Sequence, residues 1–297
     1  METEQIMRKR VADLFAGIGG FHLAFDRAGA ETVFVSEWDK NARLTYEENF
    51  RSISPAVFET GNFAGDITEV VPKNMPDFEI VTGGFPCQPF SLAGKRGGFE
   101  DTRGTLFFTV ANIIKEKQPE AFFLENVRGL LSHDSGKTFT TIQNAIQDLG
   151  YSFHWKLVHA SDFNVPQARP RLFMVGFRDP ETKFEFPEPK PLTLTMSKIM
   201  NGEVVDKHGK IRDVGFTLRV GGRHSGIHDR RNWDTYMVDG APRTLTISEA
   251  AQMQGFPADW KFPVTTAQAF KQLGNSVAVP AIQATAEAIL KALDTQG

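Results

Sequence analysis

The sequence has a single cysteine, Cys87, and no run of about 18 apolar residues. A lone cysteine excludes an internal disulfide, and the missing apolar run predicts no transmembrane helix. Residues 1–10 lack the apolar core of a signal peptide, so we expect a protein of the reducing cytoplasm. Hydrophobic residues make up 41% of the 297 residues and charged residues 23%, which predicts a large core that needs no disulfides.

An overall excess of positive charge is also missing. The net charge of −3 and the pI of about 6.2 argue, for the chain as a whole, against a nucleic-acid-binding protein. The local distribution differs, because a glycine-rich stretch at 207–231 has two acidic residues and seven basic ones: Lys207, Lys210, Arg212, Arg219, Arg223, Arg230 and Arg231. A basic patch on a nearly neutral body can bind phosphate.

Strand and helix signals alternate through the first half of the chain. Apolar runs predict strands at 11–15, 32–36, 80–81, 121–124 and 171–177. Helical patterns lie between them, notably at 106–117 and at 138–149, where Gly150 ends the helix. This alternation predicts a mostly parallel sheet covered by helices on both faces.

The pattern changes after Arg178. Four prolines fall within 180–191, and no clear helix follows for about 50 residues, which predicts a linker into a second module of short strands and loops. Helical signals return at Thr246, which forms a capping-box pattern with Glu249, and continue at 266–273 and after Pro280.

A glycine-rich turn, FAGIGG at 15–20, lies between a predicted strand and helix, where a cofactor can approach the backbone closely. The dinucleotide fingerprint is incomplete, because His22 occupies its third glycine position. About 20 residues on, Glu37 suits the hydroxyls of a ribose and Trp38 could stack on an adenine. The alternative is a tight turn with a packed tryptophan.

Cys87 follows an apolar run at 78–81 and the pair Gly83-Gly84. This predicts a buried strand that ends in a turn and presents the thiol at the edge of the sheet where ligands bind. Taken alone, the residue is better explained as a small buried hydrophobic side chain, the common role of a free cysteine.

Eight motifs occur in one order: DLFAGIGG at 13–20, EW at 37–38, GDI at 65–67, GFPCQPFS at 84–91, ENV at 125–127, QARPR at 167–171, RTLT at 243–246 with QGFP at 254–257, and GNSV at 274–277. In these motifs the chain resembles the DNA (cytosine-5) methyltransferases over nearly its whole length. The short stretch at 178–242 falls where this family has its variable recognition module. The likeness is to compact bacterial enzymes of the restriction–modification type.

The resemblance implies an α/β fold in two parts. Residues 1–188 and 272–297 would form a Rossmann-like catalytic domain that binds S-adenosylmethionine. Residues 189–271 would form a smaller target-recognition domain of short strands and loops, with the hinge. No metal is implied. The implied cofactor-binding residues are Phe15, Gly17, Gly19, Glu37, Trp38, Asp66, Ile67, Pro86, Asn275, Ser276 and Val277. Within this set, Asp66 and Ile67 would contact the adenine edge and 275–277 the methionine end.

Catalytic roles also follow from the resemblance. Cytosine C5 is a poor nucleophile, and a Cys87 thiolate that adds to C6 would make C5 reactive. Glu125 would protonate or hydrogen-bond N3, the alternative being a solvated residue at a strand end. Arg169 would contact O2. For Arg171 a structural ion pair and a role in the site remain equally open.

Duplex DNA is the implied substrate, and the target cytosine must leave the stack to react. The glycine-rich segment 92–105, with Lys95 and Arg96, is predicted to be a lid rather than an ordinary surface loop. The predicted DNA-binding residues of the second module are Lys210, Arg212, Thr217, Arg219, Arg223 and His224. For any one arginine a phosphate contact is the default expectation, but Arg223, after two glycines, is predicted to read a base.

The implied setting is a bacterial or phage-encoded monomer in the cytoplasm, with a cognate restriction endonuclease that acts separately. An RNA cytosine-5 methyltransferase built on the same domain is one alternative. A catalytically silent DNA-binding relative is another, but the intact set of Cys87, Glu125 and Arg169 argues against it. A nicotinamide-dependent oxidoreductase is disfavoured by His22 and by the Pro-Cys-Gln motif.

Overall fold

The computed structural model describes residues 8–59, 61–86, 106–206 and 208–295. Within these ranges a central sheet contains seven strands: β1 (Arg10–Leu14), β2 (Glu31–Ser36), β3 (Phe63–Ala64), β4 (Ile80–Gly83), β5 (Ala121–Val127), β6 (His154–His159) and β7 (Pro170–Phe177). Their order across the sheet is β3-β2-β1-β4-β5-β7-β6. The first five strands in that order are parallel, and β7 runs antiparallel to both β5 and β6.

The described helices are α1 (Gly20–Arg27), α2 (Lys40–Phe50), α3 (Pro55–Glu59), α4 (Leu106–Lys117), α5 (Lys137–Asp148), α6 (Met196–Met200), α7 (Ile247–Gln252), α8 (Thr266–Asn275) and α9 (Val279–Asp294). Short 3-10 turns lie at Ile67–Glu69, Pro72–Asn74, Arg128–Leu131, His133–Gly136 and Ala160–Asp162.

Alternating side chains bury both faces of the central sheet. On β5, Phe123 belongs to the core cluster that contains α1 and α9, whereas Phe122 and Leu124 belong to the cluster that contains α4 and α5. This period of two is the geometry of a strand whose two faces are both covered. The described strands and helices confirm the predicted α/β fold class with a mostly parallel sheet.

β6 and the antiparallel end of the sheet were not predicted from the sequence, and neither were the short elements β3 and α3. β6 lies at an edge and half of its residues are exposed, among them Trp155 and Lys156, so its apolar signal is weak. Only the short segment 160–169 connects β6 to β7, too short for a crossover helix, and the two strands are therefore antiparallel.

The second module contains a small antiparallel sheet of β8 (Val204–Val205), β9 (Thr235–Val238) and β10 (Ala241–Thr244). The short helix α6 was not predicted. Thr246 and Glu249 form the predicted capping box at the start of α7. One continuous core cluster includes Trp233 of this module and Phe123 of the central sheet. The predicted domain boundary at 271/272 falls inside α8, and the domain limits stay predictions.

The C-terminal helices return to the first part of the chain, where α9 packs on α1. The stretch Thr266–Asp294 has the length and mean hydropathy, 1.2, that a membrane-crossing helix could have. Since 61% of its most apolar window is buried inside the protein, this stretch has the character of core helices.

Candidate active site

The glycine-rich turn between β1 and α1 has a left-handed backbone at Phe15, Gly17 and Gly19. A Cβ on Gly19 would collide with the ring of Phe50, so this glycine permits close packing of α1 on α2. A Cβ on Gly17 would meet nothing within 4 Å, and Gly17 lines a cavity. Of these two predicted cofactor residues, Gly17 therefore lies at the cavity and Gly19 lies in the packing behind it.

This cavity has a volume of about 720 Å³ and lies at the carboxyl ends of β1, β2, β4 and β5. Nine of the eleven predicted cofactor residues line it: Phe15, Gly17, Glu37, Trp38, Asp66, Ile67, Pro86, Asn275 and Ser276. Gly19 and Val277 do not. Val277 packs instead against the start of α1, where a Cβ on Gly20 would lie 2.6 Å from its Cγ2.

Glu37 connects two sides of the cavity wall. One of its carboxylate oxygens accepts a hydrogen bond from the Gly17 amide (2.8 Å) and the other from the Asp39 amide (2.7 Å). Burial raises the pKa of Glu37, and these amide N–H groups oppose the shift. The neighbouring Trp38 side chain is 77% exposed, so its ring is free to stack on a planar ligand.

Lys271 and Gln272, which had no predicted role, line the same cavity from α8. The Lys271 ammonium lies 3.1 Å from the Asp39 carboxylate, which also caps the N-terminus of α2. Gln272 accepts a hydrogen bond from the Thr45 hydroxyl at 2.9 Å. Lys271 and Gln272 lie three and two residues before the GNSV motif, and that position was the available signal.

Glu125 and Arg171 form a buried ion pair in the cavity wall, with 2.9 Å between Nε of Arg171 and Oε1 of Glu125. The antiparallel register pairs Glu125 with Phe173, which brings Arg171, two residues away, onto the same face of the sheet. Burial raises the pKa of Glu125, and the charges of Arg171 and Arg169 oppose that shift. The cavity therefore contains a carboxyl group that is biased toward its protonated form.

Arg169 connects three parts of the chain. Its guanidinium donates hydrogen bonds to the carbonyl oxygens of Leu218 (3.2 Å), Gly274 (3.1 Å) and Ser276. The side chain is 2% exposed, and burial, with the nearby charge of Arg171, lowers its pKa to about 9. These bonds argue against the predicted contact of Arg169 with a cytosine O2, because most of its N–H groups are already used inside the protein. Arg171, which lies beside Glu125, is better placed for the contact that was predicted for Arg169.

Asn126 had no predicted role, although it belongs to the ENV motif. Its side-chain amide donates to the carbonyl of Phe85 at 2.8 Å, and its oxygen accepts from the amide of Val127. Asn126 therefore fixes the backbone two residues before Cys87. Cys87 itself, Lys95, Arg96 and the predicted lid 92–105 lie outside the described residues.

The predicted DNA-binding residues have different surroundings. Lys210 is exposed on a tight turn in which the Asp206 carboxylate accepts hydrogen bonds from the backbone amides of His208 and Lys210. The Arg212 guanidinium lies 4.4 Å from the ring centroid of Phe216. Thr217 donates its hydroxyl proton to the carbonyl of Ala168. The Arg219 guanidinium donates a hydrogen bond to the carbonyl of Arg231, and Arg223 forms an ion pair with Asp234. The backbone amide of His224 donates to the carboxylate of Asp234.

Arg223 differs most from its predicted role as a base reader. Its Nε lies 3.4 Å from the fully buried carboxylate of Asp234, and its guanidinium lies 3.7 Å from the ring centroid of Phe270. These contacts engage Nε and one face of the guanidinium, and they hold the side chain, which is 23% exposed, against the module. These contacts argue for a different role.

Among the described residues no three His, Cys, Asp or Glu side chains form a group that could hold a metal ion.

The sequence model described as C-5 cytosine-specific DNA methylase matches residues 9–217 and 194–291. The chain is 41% identical to the Type II methyltransferase M.SsoII of Shigella sonnei, over 97% of this chain and 82% of that protein. It is 42% identical to M.HpaII of Haemophilus parainfluenzae (95% and 89%) and 37% identical to M.HhaI of Haemophilus parahaemolyticus (95% and 94%).

Solved structures show the same fold at lower identity. A prophage-encoded DNA modification methyltransferase of E. coli aligns with a TM-score of 0.70 at 23% identity, covering 96% of this chain and 99% of that one. The S. pombe Dnmt2 methyltransferase aligns with a TM-score of 0.71 at 20% identity, covering 97% and 100%.

Proposed function

Because the chain belongs to the C-5 cytosine-specific DNA methylase family, it is a DNA cytosine-5 methyltransferase, and we propose that it methylates a cytosine extruded from duplex DNA, with S-adenosylmethionine as the methyl donor. The observation that carries the proposal is the buried Glu125–Arg171 pair in the wall of a cavity that Pro86, the residue before Cys87, also lines.

The residues present fit the cofactor. A volume of about 720 Å³ lies within the range of small-molecule sites, roughly 300–1,000 Å³. Each Glu37 oxygen accepts one amide N–H and retains a lone pair for a ribose hydroxyl. Both bonds from Thr68 to Asp66 use Oδ1, which leaves Oδ2 to accept from an adenine amine. Bound S-adenosylmethionine supplies an electrophilic methyl group.

Cys87 acts on the base in this proposal. Its thiolate forms a bond to C6, and the electron pair of the C5–C6 double bond moves toward C5, which can then take the methyl group. A solvent base takes the C5 proton, the electron pair of that C–H bond restores the C5–C6 double bond, and the C6–S bond breaks with its electron pair on sulfur, which regenerates the thiolate. Asn126 holds the Phe85 carbonyl, two residues before Cys87 in the sequence.

Glu125 and Arg171 act on the charge that develops when the thiolate adds. A protonated Glu125 donates to N3, and its pKa, raised by burial, favours that form. Arg171 holds Oε1 of Glu125 through Nε and donates from Nη1 to the carbonyl of Pro170, and an N–H group that these bonds do not use is proposed to donate to O2 of the cytosine. Donors fixed before the reaction stabilise the charge without reorganising. Arg169 is proposed to support this pair from behind.

The DNA-binding surface is proposed to comprise the basic stretch within 207–231 and the lid 92–105, with Lys95 and Arg96. The relatives in the comparison are Type II methyltransferases, so we propose that a restriction endonuclease for the same site acts separately and that this chain works as a monomer in a bacterial or phage-infected cell.

The test is to express the protein in cells that lack cytosine methylation and to map 5-methylcytosine on a plasmid by bisulfite sequencing. We expect methylation at one short sequence. Methyl transfer to duplex DNA and to tRNA is then compared in vitro with labelled cofactor. Transfer to tRNA alone, or a plasmid without 5-methylcytosine, would contradict the proposal.

A further inference from the structure

The segment 219–234, here called the recognition loop, is closed by its own contacts. The Trp233 indole donates to the carbonyl of Gly221 at 2.7 Å, and the Arg219 guanidinium donates to the carbonyl of Arg231 at 2.8 Å. A Cβ on Gly222 would lie 2.7 Å from that same carbonyl oxygen, so the two sides of the loop touch. The loop therefore has a defined shape before any ligand binds.

The fully buried Asp234 lies at the base of this loop. Its carboxylate accepts the amide of His224 at 3.2–3.3 Å and forms the ion pair with Arg223. The other face of the Arg223 guanidinium stacks on Phe270, which is 3% exposed and belongs to α8. One arginine thus attaches the loop to the helix that also lines the cavity.

The loop begins at the cavity wall. The carbonyl of Leu218, the residue before the loop, accepts a hydrogen bond from Arg169. The backbone of Arg219 packs against Gly274, where a Cβ would lie 2.8 Å from its carbonyl carbon. Exposed positions farther along the loop are Val220, Gly221, His224, Gly226, His228, Arg230 and Arg231. A rotation at the base of the loop would displace all of these positions relative to the cavity.

We propose that Arg223 and Asp234 are positioning residues for DNA sequence specificity. They fix the orientation of the recognition loop on α8, and the exposed loop residues make the DNA contacts. This inference rests on the proposed function, since it concerns how the same enzyme selects its site. It assigns Arg223 to the support of the loop and leaves phosphate and base contacts to residues such as Arg230.

The chemistry of arginine fits this role. A planar guanidinium can stack its face on an aromatic ring while its charge lies beside a carboxylate, an arrangement that a lysine ammonium does not reproduce. Removal of Arg223 would leave the buried Asp234 carboxylate uncompensated, and removal of the Asp234 charge would release the partly buried Arg223 guanidinium, so the loop would shift in either case. Asp234 has no exposed surface, so it cannot contact DNA unless the loop unfolds.

The experiment compares Arg223→Leu, Arg223→Lys and Asp234→Asn with the control Arg230→Ala, which removes an exposed arginine of the same loop. Each variant is titrated with a duplex that contains the methylated site mapped for the wild type and with a scrambled duplex, at several salt concentrations. Melting temperature and cofactor affinity are measured in parallel. If Arg223→Leu does not fold, Arg223→Lys and Asp234→Asn complete the test.

We expect Arg223→Leu and Asp234→Asn each to lower the ratio of specific to scrambled affinity about tenfold, the size of one mismatched base pair. Their slope of log K against log salt and their cofactor affinity should match those of the wild type. The double variant Arg223→Leu/Asp234→Asn should have a ratio of specific to scrambled affinity no lower than that of either single variant. Arg223→Lys should restore that ratio only in part. Arg230→Ala should reduce the salt slope by about 0.9 and keep the ratio.

Three results would overturn the inference. A lower salt slope in Arg223→Leu would make Arg223 a phosphate contact. Loss of discrimination at a single base pair in Arg223→Leu, with Asp234→Asn unaffected, would make Arg223 a direct reader. A lower melting temperature with an unchanged ratio would make the pair merely structural. A wild-type protein that methylates no DNA would instead refute the proposed function.

Discussion

At the scale of single residues, the chemistry of the proposed reaction rests on Cys87. We expect Cys87→Ser to lose methyl transfer while the fold and DNA binding persist, because a hydroxyl is a far weaker nucleophile at neutral pH. The measurement is transfer of a labelled methyl group together with a DNA-binding assay. Wild type, but not the serine variant, should form a stable adduct with DNA that carries 5-fluorocytosine at the target position, because fluorine at C5 blocks the elimination. Full activity in the variant would refute the mechanism.

Glu125 offers a second prediction at the residue scale, on pH dependence. Burial raises its pKa, and the protonated form is the proposed donor to N3. Activity should therefore fall as pH rises through this raised pKa. In Glu125→Gln, whose amide cannot transfer a proton in this range, we expect a rate lower by about 10²–10⁴. The pH profile of kcat/KM in both proteins is the measurement, and an identical alkaline limb in Glu125→Gln would exclude Glu125 as its source.

The two arginines show where residue-scale prediction stopped. Arg169 and Arg171 belong to one motif and carry the same charge, so their sequence does not indicate which one faces the cavity. The choice depends on the antiparallel pairing of β7 with β5, which places Arg171 beside Glu125, and on the carbonyl oxygens that hold Arg169. Those carbonyls come from residues 49 to 107 positions away in the chain. Local sequence contains no signal for them.

At the scale of elements, α8 and α2 meet across the cavity through the Lys271–Asp39 ion pair. Lys271→Met should weaken S-adenosylmethionine binding about two- to fivefold, since a half-exposed pair contributes at most about 1 kcal/mol. Affinity for DNA without cofactor should not change. Lys261→Met is the matched control, because Lys261 pairs with Glu48 on the surface, away from the cavity lining. Calorimetric titration would reject the prediction if both variants bind the cofactor equally.

Elements with a strong local pattern were predicted well. The helix at 106–117 was predicted with the bounds that α4 has, and the capping box at Thr246 is present. The missed elements are the exposed edge strand β6, the two-residue strand β3 and the five-residue helices α3 and α6, whose stability depends on the surfaces beneath them. Tertiary packing, which a single sequence does not display, decides such segments.

At the scale of the whole molecule, the two ends of the chain are joined in one core. Thr45 in α2 bonds to Gln272 in α8, and α9 packs on α1, so the segment after the recognition loop completes the structure that the first strands begin. The eight motifs, in their order, predicted the cavity residues from both ends of the chain. The relative placement of the loop and the cavity required the structure, because it depends on Phe270, Asp234 and Arg169 together.

A last prediction concerns the stability of the whole fold. Asp13 is fully buried at the end of β1, where burial raises its pKa from 3.8 to about 8 despite hydrogen bonds from Thr82 and the His22 amide. The folded protein thus holds a proton that the unfolded chain releases above its ordinary pKa. By linkage, the free energy of unfolding contributed by this group is fully present below about pH 4 and is lost as pH rises toward about 8, by roughly 1 kcal/mol per pH unit.

Asp13→Asn should remove this pH dependence, because the amide oxygen can still accept the bond from Thr82 and no proton is exchanged. We therefore expect the variant to be less sensitive to pH than the wild type between pH 5 and about 8, and to have the higher relative stability at the upper end. The measurement is urea unfolding of both proteins across that range. If the free energies of unfolding of the wild type and of Asp13→Asn changed with pH in parallel, Asp13 would be ionised in the folded protein and its charge would be neutralised by a partner.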